Sequence, residues 1–149
     1  MIQQTIHIPD YDWTIHCFYV VQRLNADRVM RKLESIGCED SDLERARRSL
    51  ETGACDTGIS YTSAKLGESV MVISRTSNAK EYLMSLSHEV GHIANHIGIF
   101  YGLPLNGEDV RYLSDEIISK TWPISKELLC DECRFTKKDH YGREGGCYE

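Results

Sequence analysis

The sequence predicts an α+β fold in which a small sheet packs against a long helix that carries histidines and against the helix that follows it. The chain has 149 residues, the size of one domain with its own hydrophobic core. Runs with the length and composition of strands alternate with segments in which apolar residues recur every three or four positions. We expect a single domain over residues 1–129. Residues 130–149 form a cysteine-containing tail, which either belongs to that domain or extends from it.

The first 22 residues are predicted to form two strands. Residues 5–8 alternate between polar and apolar side chains, and residues 13–21 are rich in β-branched and aromatic side chains. Pro9 and Asp10 separate the two runs, since proline and aspartate are typical of turns.

Two helices of the scaffold should follow. The first keeps the 3.6-residue period from its expected cap, Asn25, to Gly37. The second opens with a capping-box pattern at residues 41–44 and continues through Leu50, before Gly53 ends it.

Two short strands and a long helix come next. Residues 58–62 and 69–74 have strand composition, and the second run is apolar enough to be buried on both faces. Ser77 or Asn78 is expected to cap the following helix, which reaches about Gly98 or one turn further.

The last predicted helix covers residues 108–121. A connection containing glycine and proline precedes it. The helix should end at Trp122, because the residue before a proline, here Pro123, is pushed out of the helical region.

The stretch SLSHEVGHIANHIG, residues 85–98, carries three of the six histidines of the chain. Plotted on a helical wheel, His88 and His92 lie on one side, with Glu89 on their flank. The opposite, core-facing stripe consists of Leu83, Leu86, Val90, Ile93 and Ile97. Two imidazoles one helical turn apart can share one metal ion. The order HExxH therefore predicts a zinc site.

Glu89 has a defined role if zinc binds. A zinc with three protein ligands keeps a position for water, and a glutamate beside the metal can act as the general base of hydrolysis. His96 lies roughly 12 Å along the helix axis from His88, too far to bind the same ion. Three roles remain open for His96: it supports the metal ligands without binding the ion, it lies on the surface, or it forms part of a pocket wall.

A third zinc ligand is expected among the acids downstream. Glu108 lies in the first turn of the last helix, beside Tyr112. A count along an antiparallel helical hairpin instead places Asp115 or Glu116 level with His92. Spacing alone leaves these alternatives open.

Residues 69–122 resemble the zincin-type metallopeptidases, in particular small proteins encoded by phages and mobile elements of gut bacteria. The matching features are the strand 69–74, HEVGH, residues 102–104, and Glu108 followed by Tyr112 and Leu113. The resemblance implies a zincin-like fold, a zinc cofactor and Glu108 as the third ligand. It also implies that the strand 69–74 borders the cleft and pairs with an extended peptide substrate.

The tail carries a second group of residues of the types that bind metals. Its members are Cys130, Cys133, His140 and Cys147, in the order C-x2-C-x6-H-x6-C. Such side chains can hold a structural zinc. The same residues, followed by two glycines, also suit ordinary thiols in a loose tail, so both interpretations stay open.

Composition excludes several classes of function. The net charge of −6 gives no electrostatic surface for nucleic acid. No apolar run approaches the roughly 18 residues of a membrane span, and the first residues lack the pattern of a secretory signal. We therefore expect a cytoplasmic protein whose cysteines are mostly thiols or metal ligands.

The sequence is best interpreted as a zinc metallopeptidase that acts on a peptide or protein substrate. His88, His92 and Glu108 are the predicted zinc ligands, and Glu89 is the predicted base. One alternative is a zinc hydrolase of small amides. The other is a metal-stabilised module that binds a host or competitor protein, against which Glu89 argues because a structural site needs no base.

Overall fold

A computed structural model describes residues 1–130 and consists of one sheet with helices on both faces. Its strands are β1 (Ile2–Ile8), β2 (Trp13–Val21), β3 (Gly58–Ser63) and β4 (Glu68–Ser74). Its long helices are α1 (Ala26–Ser35), α2 (Asp40–Thr52), α3 (Ala79–Phe100) and α4 (Glu108–Leu129). The predicted α+β class is confirmed.

The sheet is mixed, with the strand order β1-β2-β4-β3. β1 pairs with β2 and β3 pairs with β4 in antiparallel fashion, while β2 and β4 are parallel. β4, which contains residues 69–74, therefore lies inside the sheet with a neighbour on each side. The expectation that this strand borders a cleft is wrong, because its main-chain groups are already paired with β2 and β3, and β3 is the edge strand on that side of the sheet.

Each face of the sheet carries its own apolar core. Met71 and Ile73 of β4 point toward α3 and α4, and Val70 and Val72 point toward α1 and α2. This alternation accounts for the unbroken apolar run in β4, since both faces of the strand are covered by helices.

Helix α4 is longer than predicted and passes through Pro123. The segment after the proline is held by buried side-chain hydrogen bonds. The hydroxyl oxygens of Tyr82 and Ser125 are 2.8 Å apart, and Ser125 donates to Thr121 at 3.0 Å. The contact between Ser125 and Tyr82 of α3, together with the Ser125–Thr121 bond within α4, offsets the backbone hydrogen bond that a proline removes from a helix.

The cysteines of the described part differ in their surroundings. Cys17 and Cys38 are free thiols, as expected, and both are buried. Burial raises the pKa of Cys17 to about 12. Cys55, in contrast, is disulfide-bonded. Three members of the predicted second zinc group, Cys133, His140 and Cys147, lie outside the described residues.

No helix within residues 1–130 is both long enough and apolar enough to cross a membrane.

Candidate functional site

Helix α3 is anchored in the core along one stripe. The side chain of Asn78 caps it by accepting a hydrogen bond from the backbone N–H of Glu81 at 2.9 Å. The buried apolar residues of α3 are Tyr82, Leu86, Val90, Ile93, Ala94 and Ile97. Leu83, which was expected on this stripe, is 49% exposed, and Tyr82 takes that place because its hydroxyl reaches Ser125.

His88 and His92 form a close pair on the side of α3 away from α4. Their Nε2 atoms are 3.0 Å apart, and the ring centroids are separated by 4.6 Å. Two nitrogens that bind one tetrahedral zinc at about 2.05 Å lie roughly 3.3 Å apart. The pair thus fits two adjacent ligand positions with only a small adjustment.

Glu89 is buried although it carries a carboxylate. Glu89 is only 5% exposed, and its side chain lies against Gly58 of β3. A Cβ atom added to Gly58 would be 2.5 Å from Oε1 of Glu89. Within residues 1–130 the carboxylate has no hydrogen-bond or ion-pair partner. Buried charges in proteins are normally paired or coordinate metals, so this carboxylate lacks the partner that its burial calls for.

A groove of about 590 Å³ opens above these residues. Its floor is the edge strand β3, one wall is the histidine face of α3, and the other wall comes from α2 and the segment before it. Three small residues of β3, Gly58, Ser60 and Thr62, alternate along the strand on the side that faces α3. Small side chains there keep the groove open over the histidines.

His96 lines the same groove one turn beyond His92. Its Nδ1 is 3.1 Å from Oγ1 of Thr62, and its ring stacks on that of His92 with centroids 6.3 Å apart. Burial and the neighbouring His92 lower the pKa of His96. Of the roles open to His96, the structure supports that of a pocket wall.

Glu108 does not join the histidine pair. It is exposed at the start of α4 and forms an ion pair with Arg111 at 3.1 Å. A Cβ added to Gly98 would lie 3.0 Å from Val110, which shows that α4 begins beside the last turns of α3, beyond the histidines.

The alternative acids on α4 do not reach the histidines either. α4 packs on the buried stripe of α3, and neither Asp115 nor Glu116 lines the groove. Across residues 1–130, no three His, Cys, Asp or Glu side chains are grouped so that they could hold a metal ion. Among the described residues, His88 and His92 are therefore the two predicted ligands that lie together, and no third side chain of these types joins them.

Two residues of the site were not identified from the sequence. Gly58 contacts the Glu89 carboxylate, and Thr62 holds His96. Both belong to the strand predicted over residues 58–62, to which the sequence assigned no role in the site. The alternation of small residues at positions 58, 60 and 62 was the available signal, since small side chains on one strand face indicate that something packs closely there.

Comparisons with known proteins do not place this chain in a group. It matches no protein family, and no curated protein and no solved structure is significantly similar to it. The resemblance to zincin-type metallopeptidases therefore stays a prediction that rests on the motif and on the geometry of α3.

Proposed function

We propose that this protein is a zinc-dependent hydrolase that cleaves peptide bonds, a metallopeptidase with a zincin-like arrangement of strand and helix. One observation carries the proposal. Glu89, a buried carboxylate without a hydrogen-bond or ion-pair partner among residues 1–130, lies beside two histidines whose Nε2 atoms are 3.0 Å apart, at the floor of an open groove.

His88, His92 and Glu89 each have a role in this chemistry. His88 and His92 would hold the ion through Nε2. When bound, zinc polarises a carbonyl group and lowers the pKa of water. Glu89 accepts a proton from the attacking water on a carboxylate oxygen and returns it to the leaving amine nitrogen. Burial keeps the carboxylate in place for both proton transfers.

The groove also supports an extended peptide as substrate. Among the strands of residues 1–130, β3 is paired with β4 on one side only, so the main-chain groups of its other edge are open toward the groove. An extended peptide can add to such an edge through main-chain hydrogen bonds. The small residues of β3 leave space for its side chains above the histidines.

The first experiment combines zinc content with cleavage of casein, an unfolded protein substrate. Zinc is measured by mass spectrometry on protein purified without a histidine tag and reconstituted with the metal. We expect one zinc per chain and cleavage of casein. In Glu89→Gln, zinc should be retained while the rate falls by at least about 100-fold, because the base is lost.

A matched control on the same helix is Glu81→Gln, which removes a carboxylate far from the pair and should leave zinc and cleavage unchanged. Absence of zinc in the reconstituted wild type would refute the proposal. Zinc binding that is accompanied by no cleavage, in wild type and Glu89→Gln alike, would instead favour the metal-stabilised binding module.

A further inference from the structure

A chain of four side chains connects the core beneath the sheet to the groove. The indole Nε1–H of Trp13 donates to Oγ of Ser69 at 3.0 Å. The Ser69 and Thr62 hydroxyl oxygens are 2.9 Å apart, and Thr62 Oγ1 is 3.1 Å from Nδ1 of His96. Trp13 and Ser69 are fully buried, so water does not compete for the hydrogen bond between them, whereas Thr62 is partly buried and its contact with His96 is exposed.

The direction of the hydrogen bonds follows from the chemistry of the indole. Tryptophan can only donate, so Ser69 must accept from it. The hydroxyl hydrogen of Ser69 then has one acceptor among the described residues, Oγ1 of Thr62. In the reverse direction this hydrogen would be buried without an acceptor, which proteins strongly avoid.

The same hydrogen bonds favour one nitrogen of His96 as the site of its proton. Thr62 accepts from Ser69, and among the described residues Nδ1 of His96 is the acceptor within reach of the Thr62 hydroxyl hydrogen. With Nδ1 as an acceptor, the ring proton of the neutral imidazole lies on Nε2.

We propose that His96 is held as the Nε2–H tautomer and donates a hydrogen bond to a carbonyl oxygen of the substrate, at or next to the bond that is cleaved. This inference rests on the proposed peptide hydrolysis. Trp13, Ser69 and Thr62 act through His96 and are positioning residues.

The location of His96 suits this role. Its ring lies 6.3 Å from that of His92, and an extended peptide advances about 3.4 Å per residue, so both rings face the same short stretch of a bound chain. The carbonyl oxygen gains negative charge as water adds to it. A donor that is already oriented stabilises that charge without reorganising.

The tautomer is measured first, on the full chain, because this measurement does not depend on activity. Long-range ¹H–¹⁵N correlation of ¹⁵N-labelled protein distinguishes the two neutral forms of the His96 ring. We expect the Nε2–H form alone in the wild type and a mixture of tautomers in Thr62→Val, which keeps the side-chain shape and removes the hydroxyl. A wild-type spectrum with the proton on Nδ1 would overturn the inference.

Casein cleavage by the zinc-loaded protein then tests the contact with substrate. We expect His96→Ala to lower kcat by about 100-fold with zinc content unchanged, which is the usual effect of removing one such donor. His96→Gln, which restores an N–H donor, should recover part of the loss. Unchanged cleavage by His96→Ala would refute the role in catalysis. A wild type that binds no zinc and cleaves nothing would refute the proposed function and, with it, the contact to substrate, while the spectrum still decides the tautomer.

Discussion

At the scale of single residues, the site depends on a glycine as much as on its charged groups. The Glu89 carboxylate fills the space beside Gly58 that any other side chain would occupy. A base must lie within hydrogen-bond reach of the proton it removes, and displacement by about 1 Å can cost 100-fold in rate. The glycine therefore helps to determine where the proposed base, Glu89, lies.

Gly58→Ala should separate base position from zinc binding. The added Cβ would lie 2.5 Å from Oε1 of Glu89, so the carboxylate must move. We expect casein cleavage to fall by at least about tenfold, with zinc content retained because His88 and His92 are untouched. Ser60→Ala, on the same face of β3, is the matched control. Wild-type cleavage in Gly58→Ala would show that the observed position of Glu89 is not the active one.

The proposed zinc ligands can be tested by single substitutions. His92→Ala should abolish stoichiometric zinc binding, because it removes half of the histidine pair. Glu108→Ala should keep one zinc per chain, since Glu108 lies in an ion pair with Arg111 and not beside the histidines. Mass spectrometry of both purified variants measures this directly. If Glu108→Ala loses zinc, Glu108 is the third ligand, as the family resemblance implies.

The motif predicted which residues would meet, but only within one helix. His88, Glu89 and His92 are close because helical geometry brings residues one turn apart onto one side. Glu108 belongs to another helix, and its position depends on which face of α3 that helix covers. α4 packs on the apolar stripe, opposite the histidines. Neither periodicity nor loop length reveals that choice.

At the scale of elements, most helices and strands could be predicted because their apolar periods are strong. The predicted end of α4 was wrong because tertiary contacts override the local tendency of a proline to end a helix. α4 continues past Pro123 because Ser125 and Tyr82 hold the segment after it. The order of the strands could not be predicted from the sequence either. β4 pairs with β3, which precedes it in the chain, but it also pairs with the distant strand β2.

Two glycines of α3 should respond to alanine in opposite ways. Gly91 has no atom within 4 Å of an added Cβ, so Gly91→Ala should stabilise the helix by about 0.5–1 kcal/mol. At Gly98 the Cβ would lie 3.0 Å from Val110 and 3.3 Å from Leu105, so Gly98→Ala should cost about 1–3 kcal/mol through overpacking. Urea unfolding of the two variants measures both changes.

The pair of variants also tests how the groove is used. Gly91→Ala adds a methyl group between the two histidines in sequence, where the structure shows open space. If the variant is more stable but cleaves casein more slowly, substrate uses that space. A destabilised Gly91→Ala would contradict the packing of α3 described above.

At the scale of the whole molecule, the histidine pair lies outside the two apolar cores that stabilise the fold. The two cores pack on opposite faces of the sheet, whereas His88 and His92 are exposed side chains at the edge of one layer. Core burial of this kind supplies most of the stability of a domain. The chain thus differs from small zinc domains, which unfold without their metal.

Removal of zinc should therefore lower stability without unfolding the protein. Bound zinc at a free concentration of 100 times its Kd adds about 2.7 kcal/mol by linkage, which corresponds to several degrees in Tm for a chain of this size. We expect a chelator to leave the far-ultraviolet circular dichroism spectrum intact and to lower Tm by that amount. In His92→Ala, Tm should not respond to zinc or chelator. Loss of the helical spectrum on chelation would mean that the ion, and not the pair of cores on either side of the sheet, holds α3 in place.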